Sequence, residues 1–291
     1  MSSDLSDILS EWPYEPGQIN VRVIEGDDGE PKIQMRLDLG MLQMEVTGRP
    51  DGQRPQNCES LLEYFESILD DYAEGRPPPS VMDQEGRDEG SVPEGDAEPQ
   101  AGGAVPDGPE AEGPPRGPGE IDFALSPDDC RQLREEAVQY YHRYISLLVL
   151  GDYQGVLRDT SRNLRVLNLC ADHAETEEDG EVLEQFRPYL TMMRARAVAS
   201  QAIADGEPKG ALWAIDEGLE QLRKLYESAG REGDFEGANE VMLLRGMKDE
   251  LMKKLPASQK SELLKRLQDA VSKENYELAA ILRDELKMLK E

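Results

Sequence analysis

Apolar residues recur at two different periods along the chain, and the period changes between Val46 and Ser60. Residues 19–24, 32–37 and 41–46 alternate apolar and polar side chains, the pattern of strands with one buried face. Turn-forming runs separate them: Glu25-Gly26-Asp27-Asp28-Gly29-Glu30, then Asp38-Leu39-Gly40, with Gly48-Arg49-Pro50-Asp51-Gly52 closing the third as a strand-terminating turn. The order predicts a three-stranded antiparallel meander. From Ser60 the spacing becomes helical: Leu61, Leu62, Phe65, Ile68, Leu69 and Tyr72 share a face, and Ser60 and Glu63 stand in capping-box register. The prediction is a tail over 1–18 and a small βββα domain over 19–75, its helix covering one face of the sheet. So small a unit, poor in large side chains, calls for a partner or a second copy to stabilise it.

Everything after residue 121 reads as helix. Ser126-Pro127-Asp128-Asp129 is an N-cap followed by Pro at the first helical position, and Leu133, Ala137, Tyr140, Tyr141, Tyr144, Leu147 and Leu148 follow at helical spacing. Gly151-Asp152 ends that helix. A second carries Val156, Leu157, Leu164, Leu167 and Leu169 and fades in the acidic run 175–180; a third is expected over 182–204 with a kink or restart at Pro188. Gly206 and Pro208 precede a fourth, bearing Trp213, Leu219, Leu222 and Tyr226. Tyr140, Tyr141, Tyr144 and Trp213 read as helix-packing residues.

Between these two parts lies a different composition. Residues 76–120 hold 10 Pro and 9 Gly, 11 acidic residues against 3 basic, and no Leu, Ile or aromatic side chain. Burial there cannot offset ordering entropy, so a disordered acidic linker is expected, dividing the protein in two and leaving the N-terminal domain free to bind elsewhere. The whole chain, 291 residues at a net charge of -29, is a polyanion that repels phosphate backbones and anionic lipid. Only residues 256–291, with seven basic and seven acidic side chains, are neutral, and they form no basic patch. Direct nucleic-acid binding is therefore not expected, nor a membrane span. Met1–Ser10 is acidic where a secretory or transit segment is basic, and with Cys58, Cys130 and Cys170 far apart in sequence a reducing cytoplasm is expected.

Catalytic constellations do not emerge. His142 lies among tyrosines and His173 at a helix end, neither at ligand or triad spacing, and no phosphate-loop, GxGxxG, GxSxG or HExxH pattern occurs. The reading is of a protein that is not an enzyme and carries no cofactor or metal.

Three short segments resemble one another: Gly151-Asp152-Tyr153-Gln154-Gly155-Val156, Gly233-Asp234-Phe235-Glu236-Gly237-Ala238 and Glu274-Asn275-Tyr276-Glu277-Leu278-Ala279. Each places turn residues, an aromatic and a small residue as the junction of a helical hairpin requires: the Asp or Asn caps the second helix, the aromatic closes over the crossing, and the small residue permits close approach. The last of them, running on through Ala279-Ala280-Ile281-Leu282-Arg283-Asp284, resembles the UVR motif. This is the helical hairpin of the excision-nuclease subunits UvrB and UvrC, found also in the Clp-associated McsA proteins. The UVR-like part spans 258–290, and the segment 234–250 is a weaker relative. Residues 121–228 resemble tetratricopeptide-type repeats more loosely, so the expected fold is mainly α: a βββα domain, the linker, the repeat-like region, then helical hairpins over 229–291.

The resemblance implies a protein-binding module that pairs with another UVR hairpin or docks a partner. Its candidate contacts are Leu267, Val271, Tyr276, Glu277, Ala280, Ile281, Leu282, Arg283, Asp284 and Leu286. A two-helix hairpin buries too little to fold well alone, so its apolar face needs a second surface, either a partner's or that of the chain's own 243–255 helix. The expected function is that of an interaction or scaffold protein, whose partner is a UVR-containing protein or a second copy. Recruitment to excision repair through UvrB or UvrC and regulation of Clp-type proteolysis are the alternatives. The CxxC knuckles of the McsA proteins and the helicase and nuclease motifs of the repair proteins are absent from the sequence.

Overall fold

The computed structural model describes residues 5–74, 123–254, 257–273 and 275–288; the expected linker at 76–120 lies outside them. Strands β1 (Asn20–Glu25), β2 (Pro31–Arg36) and β3 (Met41–Glu45) form the expected antiparallel meander, with β2 central. The register sets Val21 opposite Met35 and Met35 opposite Leu42, and Val23 opposite Ile33 and Ile33 opposite Met44, which gathers the apolar side chains on one face. The other face is polar yet also covered. Arg22 donates to Gln34 (2.8 Å) and Gln34 to Gln43 (2.9 Å), a ladder across all three strands, while Lys32 reaches Asp28 and Glu45 at 2.7 Å. Trp12, just after helix α1 (Ser6–Glu11), lies over this face: the Arg22 guanidinium sits 4.3 Å from its ring, and Arg36 donates to its carbonyl oxygen at 2.7 Å.

Helix α2 (Leu61–Ala73) starts where the sequence placed it, the Ser60 hydroxyl accepting from the Glu63 N–H. Its buried side chains, Leu62, Phe65 and Ile68, share a core with Ile33, Met35 and Met44. They do not cover the sheet by themselves. Helix α3 (Pro127–Leu150), opened by a full capping box between Ser126 and Asp129, lies against β1, β2 and α2 at once. With α4 (Tyr153–His173) it forms the first long helical hairpin, turned by Gly151 at φ +79° and capped by Asp152, which accepts from the Gly155 N–H at 2.9 Å. Tyr153 and Gly155 behave as the hairpin pattern requires: the ring packs on the core, and a Cβ at Gly155 would come within 2.8 Å of Leu147.

A buried ionic cluster fixes the βββα unit to this hairpin. Arg143 of α3 forms a two-pronged pair with Asp159 of α4, at 2.7 and 2.9 Å, both side chains 1% exposed. Its remaining nitrogen donates to the carbonyls of Glu45 and Gly48 at the end of β3, and Arg158 donates to that of Val46. Two turns earlier on α3, the buried Glu136 pairs with Arg162 of α4 and accepts from the Leu61 N–H at 3.0 Å. A carboxylate there caps the α2 N-terminus and offsets its dipole. Tyr140 lies between Arg143 and Arg162, whose charged ends stand 4.7 and 4.1 Å from its ring. Burial pulls the Arg162 guanidinium below its ordinary pKa, with the nearby Arg165 and Arg49 charges adding to the pull and those of Glu66 and Glu63 opposing it. The Gly48-Arg49-Pro50-Asp51-Gly52 turn therefore both ends a strand and docks it, with Arg49 3.4 Å from Glu136 and Asp51 accepting from Gln139.

The expectation of an N-terminal domain left free by the linker is corrected by this packing. Both ends of the segment 75–122 emerge at one place: the ring of Phe123 lies 6.2 Å from those of Tyr72 and Phe65 on α2. Two residues on, Leu125 pairs with the end of α4, donating to His173 and accepting from Glu175. The described residues on either side of 75–122 thus belong to a single core. Because loop-closure cost grows only with the logarithm of length, a long insertion between neighbouring points is tolerated.

Beyond α4 the array continues through α5 (Glu177–Glu181), α6 (Arg187–Ala204), α7 (Pro208–Ser228) and α8 (Asn239–Lys254). The acidic run at 175–180 is a short helix of its own, capped by Thr176 with three acidic residues in its first turn, where the sequence had suggested a fading end. Pro188 sits in the first turn of α6 and so begins that helix without kinking it. Helices α6 and α7 cross closely at Gly218, where a Cβ would lie 2.3 Å from that of Ala195. The second hairpin signature departs from the pattern: residues 232–237 form a 3-10 turn, and α8 begins only at Asn239. Phe235 still closes the junction, buried 6.0 Å from the Tyr226 ring. Cys130 and Cys170, distant in sequence, meet as buried free thiols that share a hydrogen bond between the α3 start and the α4 end; burial pushes the Cys170 thiol up to about 12.

Two stability experiments test this packing. Asp159→Ala strands the Arg143 charge in the core and is expected to cost ~3–5 kcal/mol in urea unfolding; an unchanged midpoint would mean the pair does not hold the two parts together. Gly218→Ala must displace Ala195 and is expected to cost ~1–3 kcal/mol. Gly246→Ala meets nothing within 4 Å inside α8 and is expected to stabilise by ~0.5–1 kcal/mol, a contrast read from the two thermal midpoints.

Candidate functional site

The C-terminal hairpin pairs α9 (Ala257–Ser272) with α10 (Tyr276–Met288). Both helices are amphipathic, and the turn between them is closed by its own polar groups. The Asn275 side chain accepts from the Leu278 N–H at 3.1 Å, as the capping pattern predicts, while its N–H donates to the Ala270 carbonyl. Ala279, the small residue of the pattern, is buried at the crossing. Tyr276 departs from it. It is 69% exposed and stands outside the buried cluster at the helix crossing.

One face of the hairpin is filled from within the chain. Leu263, Ala270, Ala279, Leu282 and Leu286 form a small core with Met252 of α8, and Leu212 of α7 and Leu267 pack at its edge. Ion pairs frame it: Lys209 of α7 to Glu262 of α9 at 2.6 Å, and Lys248 of α8 to both Asp216 (2.7 Å) and Glu285 (3.5 Å). The hydrogen bond from Lys209 holds the Glu262 carboxyl below its ordinary pKa, though both side chains are exposed and the pair adds little to stability. The 243–255 helix expected to back the hairpin does so through Met252 and Lys248. The share taken by α7 was not legible, because nothing in the sequence marks Leu212 apart from other apolar positions.

The ten residues singled out from the sequence fall into two groups. Leu282 and Leu286 are buried in the internal core and Leu267 is half-buried beside it. Val271, Tyr276, Glu277, Ala280, Ile281, Arg283 and Asp284 are exposed. Among the described residues Arg283 and Asp284 pair with each other at 3.0 Å, both side chains exposed. Leu264, not among the ten, joins the exposed group at i−7 from Val271, a spacing that could have found it. Trp213 is corrected: it was read as a packing residue, and it stands 67% exposed on α7 facing the hairpin.

Between α7 and the hairpin runs an open groove of about 310 Å³. Leu212, Leu263 and Leu282 line its floor, and Trp213, Leu278 and Ile281 its walls. The other candidate chemistry stays scattered. His142 is half-buried against Tyr141, and His173 stacks edge-on against Phe123. Among the described residues, no three His, Cys, Asp or Glu side chains converge in a metal-binding group, and no helix is long and apolar enough to cross a membrane.

The internal and external faces should respond differently to truncation. Leu282→Ala is expected to cost ~2–5 kcal/mol locally and to raise hydrogen exchange in α9 and α10. Ile281→Ala, at 55% exposure, should leave exchange nearly unchanged, and equal effects would show that the two faces are not distinct.

Comparison with known proteins bears on this hairpin alone. Residues 257–291 match the family model described as the UvrB/uvrC motif, and no curated protein or solved structure matches the chain. The chain therefore ends in a UVR-type helical hairpin, a protein-interaction module, carried on a helical array that includes a small three-stranded sheet.

Proposed function

We propose that this is a non-enzymatic cytoplasmic interaction protein that docks a protein partner through the outward face of its C-terminal hairpin, with the rest of the chain as the scaffold that holds it. One observation carries the reading. After the chain has filled the inner face of the hairpin, Leu264, Val271 and Ile281 remain about half exposed on a module whose sequence matches the UvrB/uvrC motif. Half-exposed large aliphatic side chains on both helices of so short a hairpin mark a surface with apolar area still to bury. The match favours a UVR-bearing protein among candidate partners. Charge agrees with it, since residues 256–291 are neutral where the whole chain carries -29 and so approach another acidic protein with the least repulsion.

Affinity capture with the full-length chain tests the reading. A Val271→Glu, Ile281→Glu double variant, altered only at exposed positions, should keep the wild-type circular dichroism and thermal midpoint while losing the partners held by the wild type. Identical sets of captured proteins would sink the docking role.

A further inference from the structure

The sheet has two edges, and the chain treats them differently. The Gly26 N–H donates to the Glu30 carbonyl at 2.8 Å and the Leu37 N–H to that of Gly40 at 2.9 Å, which fixes the phase of both ladders. Counted in steps of two along the register, Asn20, Arg22 and Ile24 turn their backbone groups toward β2, and Val21, Val23 and Glu25 turn theirs outward. The same count turns Glu45 of β3 outward, and that edge is sealed: the Glu45 N–H donates to Pro50 at 2.8 Å and its carbonyl accepts from Arg143 at 3.1 Å. The β1 edge is open. Among the described residues, nothing bonds the outward N–H and C=O groups of Val21 and Val23.

Devices that keep such an edge from pairing are missing from β1. Its register runs without a bulge, no proline stands in it, and its one basic side chain, Arg22, lies against the Trp12 ring. The cover that leaves Ile33 0% exposed thins toward this strand: Val23, opposite Ile33, is 51% exposed, and Ile19, which shares its side of the alternation, is 48% exposed. We infer that β1 seats the β1 of a second copy, paired antiparallel across a two-fold axis so that the two sheets become one. The strand's own sequence selects the register. Centred on Val21, the pairing sets Ile19 opposite Val23 on both sides of the axis and Asn20 opposite Arg22. Centred on Arg22 it would bring two guanidinium groups face to face, and centred on Val23 it would set Val21 against Glu25. Each open edge is used up by the other, so the assembly ends at two chains. This surface is separate from the hairpin and does not rest on its docking role, but pairing there gives one particle two hairpins, which favours partners that offer two sites.

The test uses the full-length chain at raised ionic strength, which screens the repulsion between two chains of charge -29. In sedimentation equilibrium, wild type should pass from one to two chain masses as its concentration rises. Val23→Glu, altered at an exposed edge position, should keep the wild-type circular dichroism and weaken association about tenfold or more, because the two-fold axis places the change in the interface twice. Amide exchange followed by NMR reads the register: from monomer to dimer the Val21 and Val23 N–H groups should slow about tenfold or more, while those of Arg22 and Ile24, already bonded to β2, should change far less. A wild type that stays at one chain mass, a Val23→Glu variant that associates as wild type does, or a dimer whose Val21 and Val23 amides exchange as fast as in the monomer would each overturn the inference. The Val271→Glu, Ile281→Glu variant should dimerise as wild type does even as it loses captured partners, and a dimer lost through that variant would overturn the inference while the docking role stands.

Discussion

The pairing of Arg143 with Asp159 decides how the two halves of this protein belong together. An arginine desolvated to this degree is stable only where all its donors find acceptors. Asp159 takes two, and the carbonyls of Glu45 and Gly48 take two more. Those carbonyls lie at the end of β3, so satisfying one side chain fixes the edge of the sheet on the first long hairpin. Glu136 works in the same way on α2, holding the Leu61 amide while it pairs with Arg162. The sheet, α2, α3 and α4 consequently share one core.

That shared core alters what the acidic Pro/Gly segment means. Composition suggested a tether between two independent bodies. The contacts of Phe123 with Tyr72 and Phe65 bring the described residues on either side of it into one core. The polar face of the sheet fits the same picture. Gln34 bridges Arg22 and Gln43, and Trp12 lies over Arg22, so a surface that alternation assigns to solvent is largely covered.

The hairpin at the other end shows the opposite economy. It is held by one small core around Met252, by the exposed Lys209–Glu262 pair and by the more sheltered Lys248–Glu285 pair, and it keeps large aliphatic side chains outward. A module attached in this way presents a surface to bind without contributing much to the stability of the array. The groove beside Trp213 lies where the strongly packed array meets this lightly held end.

Local rules were legible in the sequence because they act over a few residues. The meander followed from alternation and turn residues, and Ser60, Ser126, Asp152 and Asn275 cap helices where spacing placed them. The junction at 232–237 was misread because Gly233 and Gly237 suit a 3-10 turn as readily as a helix start. Of the candidate site, the motif gave the hairpin and its outward residues, but not which of its apolar positions the chain itself would cover. By itself the sequence determined the elements, their caps and the interaction module, since each depends on short-range periodicity. Tertiary structure alone decided that Arg143 docks the sheet, that Cys130 meets Cys170, and that Trp213 faces the hairpin. Those contacts join residues many positions apart, and no local pattern encodes which distant partner a buried charge or an exposed ring will face.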